Sequence, residues 1–105
     1  MFRDILILLL SVFLLFSCTK KNNEKVISEP TEEEKTFAVY AEAVDALKRG
    51  DAYFASKKFK EAEAMMPQSK WAAKASLMDG YAHYSRNAYV RSIFSLERHI
   101  FNYPA

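Results

Sequence analysis

Two stretches of this chain carry the same pattern at a constant offset. Adding 37 to the residue number takes Gly50 to Asn87, Ala55 to Ser92, Phe59 to Leu96, Ala62 to His99 and Pro67 to Pro104, and it takes Val44 to Tyr81 and Leu47 to Tyr84. So many shared positions constrain the fold to a tandem of like units, each burying its apolar face against its neighbour.

Each unit reads as a pair of helices. Thr31, followed by Glu32, Glu33 and Glu34, is an N-cap with a capping-box glutamate, and its acidic groups lie near the positive end of the helix dipole. Phe37, Tyr40, Val44 and Leu47 recur at intervals of three and four and predict one apolar stripe that ends at Lys48-Arg49-Gly50. Gly50 suits the residue just past a helix, and Asp51 caps a second helix on which Ala55, Phe59 and Ala62 share a face before Pro67. Ser69 caps a third helix running to about Arg86, Asn87 tolerates the left-handed conformation, and a fourth helix runs from Ala88 to Asn102 before Pro104. The period is near the 34 residues of tetratricopeptide repeats, and alanine, aromatic, alanine and proline fall at the spacings of that motif's second helix. The expected fold is therefore all-α, with about two tetratricopeptide-like repeats, or four helices, over residues 31–105.

The N-terminus predicts export. From Ile5 to Phe16 only Ser11 is polar, and the run is shorter than the roughly 20 residues that cross a bilayer. It ends at Leu15-Phe16-Ser17-Cys18, which resembles the lipobox of bacterial lipoproteins, where a small residue precedes a cysteine whose sulfur is alkylated by a diacylglyceryl group. Cys18 is the only cysteine, so no disulfide within the chain is open to it. Residues 1–17 are thus expected to be a lipoprotein signal peptide, and residues 18–30 a lipidated cysteine with a polar, flexible tether. Thr19 is not the aspartate that retains many lipoproteins in the inner membrane, which favours the outer membrane, with the repeats facing the periplasm.

Composition offers little chemistry. Net charge is +2 with both signs interspersed, so no basic stripe suggests nucleic acid. Two glycines cannot build a phosphate loop, no metal-ligand spacing occurs, and no small-molecule substrate or cofactor is expected beyond the lipid on Cys18. His83 and His99 fall on different helices and read as partly exposed packing histidines, so catalysis is not expected. Tyr40, Trp71, Tyr81 and Tyr84 are the candidates for peptide or protein binding, because first helices line solenoid grooves and exposed aromatics anchor peptides. Tyr81 and Tyr84 also sit where Val44 and Leu47 sit in the other unit, which favours a core role for them. Ile93, Leu96 and Ile100 are expected at an open end of the stack, which predicts marginal stability or self-association.

The combined wording resembles a known family. Phe59-Lys60-Glu61-Ala62-Glu63, Met66-Pro67-Gln68-Ser69, Ala75-Ser76-Leu77-Met78-Asp79-Gly80-Tyr81-Ala82-His83-Tyr84 and Leu96-Glu97-Arg98-His99-Ile100-Phe101-Asn102-Tyr103-Pro104, behind a lipobox and tether, resemble the BamD family of tetratricopeptide-repeat lipoproteins. These belong to the outer-membrane β-barrel assembly machinery, and the similarity spans about Val39 to Pro104. His99 departs from the family's usual phenylalanine, and Ala52 stands where an aromatic is common. The family carries further repeats, so the chain reads as a truncated N-terminal part, without the later repeats that dock on the barrel-forming subunit. The resemblance implies a scaffold and client receptor for inserting β-barrel proteins, with other machinery subunits and unfolded outer-membrane proteins as partners. A different periplasmic repeat lipoprotein, adapting envelope or cell-wall maintenance, would share the anchor and repeats, and a small envelope enzyme would need turnover that depends on His83.

Overall fold

The computed structural model describes residues 1–15 and 28–105. Its first helix, α1, spans Phe2–Leu15 and exposes the side chains of Ile5 to Leu10. No described helix is long and apolar enough to cross a membrane. Cys18 and the expected tether as far as residue 27 lie outside the described residues.

Four further helices follow: α2 (Glu32–Lys48), α3 (Ala52–Met65), α4 (Lys70–Ser85) and α5 (Tyr89–Asn102). They form two helix-turn-helix units, with α3 packed on both α2 and α4, α5 packed on α4, and α2 touching α4. The helices start as the sequence dictates. Thr31 Oγ1 accepts the Glu34 N–H at 3.2 Å while the Thr31 N–H donates to Glu34 Oε2 at 2.7 Å, completing the capping box. Asp51 and Ser69 accept from the N–H groups of Phe54 and Ala72 in the same way. Ala88 precedes α5 without a side-chain cap bond.

The 37-residue offset holds at the level of single hydrogen bonds. Gly50 (φ +83°) closes α2, its N–H donating to Leu47 O at 3.1 Å and the Asp51 N–H to Ala46 O at 2.9 Å. Asn87 (φ +62°) closes α4 with the equivalent pair, Asn87 N–H to Tyr84 O and Ala88 N–H to His83 O, both 2.9 Å. Both are Schellman closures around one left-handed residue. A third left-handed residue, Gln68 (φ +67°), turns the chain from α3 into α4, where proline alone suggested the break.

The core is built from alanine. Ala43, Ala46, Ala55, Ala62, Ala75 and Ala82 are fully buried around Phe59, the one large apolar side chain among the described residues that is completely enclosed. This corrects the stripe expected on α2. Thr36, Ala43 and Ala46 face inward there, Val39, Tyr40, Val44 and Leu47 pack partly against the core, and Phe37 is half exposed. Small side chains let the helix axes approach, so the larger residues are displaced to the flanks of each contact. Thr36 is tolerated inside because its hydroxyl donates to Glu32 O at 2.7 Å.

Gly80 marks the closest approach of α4 to α5. A Cβ built there would lie 2.5 Å from Leu96 Cδ2 and 2.8 Å from Leu96 Cγ, and Ser92 Oγ donates to Gly80 O at 2.8 Å. Gly80→Ala gains about 1 kcal/mol of helix propensity but forces Leu96 aside. The overpacking costs about 1–3 kcal/mol, so a net loss of up to about 2 kcal/mol is expected. Urea unfolding checks this, and a midpoint above the parent's would mean that Leu96 moves aside at little cost.

Candidate functional site

The four aromatic residues singled out from the sequence do not form one site. Tyr40 of α2 and Trp71 of α4 meet with ring centroids 5.4 Å apart, Phe37 lies 4.8 Å from Trp71, and Tyr40 also sets its edge on Phe59 at 5.5 Å. Lys70 and Lys74 lie over the Trp71 ring at 5.4 and 4.9 Å, and Lys70 also pairs with Glu33 at 3.1 Å. Lys70 holds the Glu33 carboxyl below its ordinary pKa, and burial raises that of the Tyr40 phenol. The cluster is half core and half surface, binding the two first helices together.

Tyr81 and Tyr84 lie elsewhere. At about 100° per residue they are rotated from Trp71 by roughly 80° and 140° around α4, in its last two turns. Their rings are 6.5 Å apart, Tyr84 meets Tyr89 at 5.7 Å, and both are exposed, at 51% and 58%. The expected core role is therefore corrected. Asp79, Gly80, Ala82 and His83 turn inward instead, because the contact with α3 and α5 admits only small or hydrogen-bonded groups and a tyrosine ring would hold the helices apart.

The centre of that contact is a buried polar cluster drawn from three helices. The Asp79 carboxylate, fully buried on α4, accepts from Ser56 Oγ of α3 at 2.5 Å and from Ser95 Oγ of α5 at 3.0 Å. Arg98 of α5 lies 4.0 Å from the same carboxylate and grips Glu63 of α3 with two bonds, of 2.7 and 3.1 Å. His83 is not the partly exposed histidine expected. It is 5% exposed, with Nε2 3.2 Å from Ser56 Oγ and 3.4 Å from Asp79 Oδ1. Sequence reasoning missed the cluster because Ser56 and Ser95 reach Asp79 and His83 across 16 to 27 residues. The available signal was Ser76, Asp79 and His83 recurring on the alanine face of α4.

Serine, histidine and aspartate invite comparison with a nucleophilic relay, and the geometry does not support one. A relay needs the serine proton to reach one imidazole nitrogen while the carboxylate orients the other. Here Ser56 gives its proton to Asp79, one nitrogen of His83 faces both groups, Nδ1 has no partner among the described residues, and all three residues are enclosed. The cluster joins helices. Among the described residues no group of three His, Cys, Asp or Glu side chains is placed to hold a metal. Above Asp79 a cleft of about 550 Å³ opens between α3 and α5, walled by Lys60, Glu63, Pro67, Phe94, Arg98 and Tyr103.

Burial lowers the His83 pKa below its ordinary value, opposed by Asp79 and reinforced by Lys60, Arg86 and Arg91. The neutral ring also avoids burying a second, unpartnered N–H on Nδ1. A folded-state pKa below the unfolded one means that the unfolded chain takes up the proton first. The stability His83 provides is complete above about pH 6.5 and is lost as pH falls below it. Unfolding midpoints should therefore drop from about pH 7.5 to about pH 5.5, and His83→Gln should flatten that dependence. An equal drop in the variant would place the titration elsewhere.

A family model described as YfiO, outer membrane lipoprotein, matches residues 32–105. The outer membrane protein assembly factor BamD of Caulobacter vibrioides is 38% identical over 73 residues, covering 70% of this chain and 24% of that protein. No solved structure matches the chain. The chain thus spans about a quarter of the relative's length. With nearly all of the helical region inside the family match, the chain belongs to the YfiO/BamD family of outer membrane lipoproteins.

Proposed function

We propose that this chain is the lipid-anchored, client-receiving end of an outer-membrane β-barrel assembly factor, working by binding alone. The observation that carries the reading is the exposed tyrosine row, Tyr81, Tyr84 and Tyr89, on a helical-repeat module of this family. Exposed aromatic rings standing side by side offer rigid apolar contact area with a hydrogen-bonding hydroxyl, suited to extended peptide segments rich in apolar side chains. The Phe37, Tyr40 and Trp71 cluster adds a second, half-buried contact on the neighbouring first helices. Other subunits of the assembly machinery are the proposed standing partners, and a covalent lipid on Cys18 is the proposed anchor, with the module facing the periplasm at the outer membrane.

Site-specific photo-crosslinking tests the client role. Crosslinkers at Tyr81 and Tyr84 in the complete protein should capture unfolded β-barrel clients. Tyr81→Ala with Tyr84→Ala should cut capture from neighbouring positions severalfold while the helical circular dichroism is unchanged, since neither ring is in the core. Undiminished capture would remove the tyrosine row from the reading. The anchor is tested by intact mass: expression in a Gram-negative host should yield a species beginning at Cys18 with added acyl mass, absent from Cys18→Ala. An unmodified product would sink the anchor.

A further inference from the structure

The cleft above Asp79 belongs to a groove between the two second helices, α3 and α5, which both pack on α4 and leave it as the floor. Lys60 on α3 and Arg91 on α5 are exposed, and their positive charges, with that of Arg86, bear on the His83 ring in the floor. Neither Lys60 nor Arg91 has a carboxylate partner among the described residues. The acids around them are taken: Glu61 by Lys58 at 3.1 Å, Glu63 by Arg98 at 2.7 Å, and the buried Asp79 by Ser56 and Ser95. Arg86 lies over the Tyr53 ring at 5.7 Å. Lys60, Arg86, Arg91 and Arg98 thus meet only two carboxylates, Glu63 and Asp79, which leaves the groove cationic. Ala64, Pro67, Phe94 and Tyr103 give its walls an apolar lining, and Phe94 is 68% exposed.

We propose that the groove between α3 and α5 is a docking site for an extended, acidic protein segment, with Lys60 and Arg91 receiving its carboxylates and Phe94 an apolar side chain beside them. Cations recessed along a concave wall attract a carboxylate more strongly than cations on a convex surface, and these two lack a counter-charge of their own. Their spacing points to a chain rather than a point anion. The Arg98–Glu63 bond sets residues 63 and 98 level, so Lys60 stands about 5 Å and Arg91 about 10 Å before Arg98 along the groove. That string of charges outspans one phosphate and suits side chains roughly 7 Å apart on one side of an extended strand. A lipid surface fits poorly, because the charges line a concavity that a flat layer of headgroups does not enter. The groove also lies across α4 from the tyrosine row, since Tyr81 and Tyr84 are rotated from Asp79 by roughly 160° and 140°. A partner held there leaves the tyrosines open, and the inference needs neither the client reading nor the lipid anchor.

The test uses the full chain in a neutral detergent and a fluorescein-labelled peptide that alternates aspartate with leucine, followed by fluorescence anisotropy. The peptide should bind, and a photo-crosslinker at Ala64, exposed in the groove, should capture it. Replacing its aspartates by asparagine should weaken binding by roughly tenfold or more, as should Lys60→Glu with Arg91→Glu. Both side chains are exposed, so the helical circular dichroism of that variant should match the parent's. Phe94→Ala should weaken binding severalfold, and Tyr81→Ala with Tyr84→Ala should leave it unchanged, which separates this site from the proposed client row. No anisotropy change up to about 1 mM peptide overturns the proposal, as does equal affinity for the asparagine peptide or undiminished binding to the Lys60 and Arg91 variant. Displacement of the peptide by glycerol phosphate would assign the cations to a phosphate or a lipid headgroup and overturn it equally.

Discussion

Asp79→Ala is expected to destabilise the helical-repeat region by about 3–5 kcal/mol, the cost of removing one member of a buried charged network. In a domain of this size that lowers the thermal midpoint by roughly 12 °C or more. The carboxylate is fully buried and serves partners on α3, α4 and α5 at once. Without it, Ser56 and Ser95 lose their acceptor and His83 keeps only Ser56. Asp79→Asn keeps one carbonyl acceptor for Ser56 and should cost markedly less. Thermal unfolding followed by circular dichroism separates the two, and an Asp79→Ala variant as stable as the parent would show that alanine packing alone sets the contact.

Phe59→Ala should cost about 3–5 kcal/mol for a different reason. Its fully buried neighbours in the core are alanines, whose side chains cannot extend into the space it leaves. The loss therefore combines removal of the transferred ring with an unfilled cavity, and it also takes away the edge of Tyr40, 5.5 Å from the Phe59 centroid. Phe59→Leu should recover more than half of the loss. Urea unfolding with unchanged slope is the measure, and a cost below about 1 kcal/mol would mean that the helices collapse onto the site.

The parts of the fold that were legible in the sequence are those fixed within a few residues. Thr31 with Glu34, Asp51 and Ser69 each cap a helix through a bond to a backbone N–H three residues on, so the cap can be read where it stands. Gly50 and Asn87 are legible because few residues accept a positive φ. Inward faces were read less well. Counting large apolar residues on α2 selected Phe37 and passed over Thr36, Ala43 and Ala46, because size marks hydrophobicity and the closest contacts here require its absence. Tyr81 and Tyr84 were expected in the core by their repeat equivalence to Val44 and Leu47, which are themselves only partly buried. The Asp79 cluster was out of reach of periodicity, since what makes a buried carboxylate acceptable is supplied by Ser56 and Ser95 from other helices. The expected lipidation at Cys18 falls outside the described residues.

A hinge between units packed only through alanine would be smooth, since methyl groups slide past one another with little preference for any one register. The hydroxyls of Ser56 and Ser95, meeting opposite oxygens of one carboxylate, give that surface a single notch. Because the pieces of the notch come from α3, α4 and α5, no single repeat owns it. A unit exchanged for a generic consensus repeat would arrive without its share, so recombining such modules, in the laboratory or over evolutionary time, has to proceed by moving both units together.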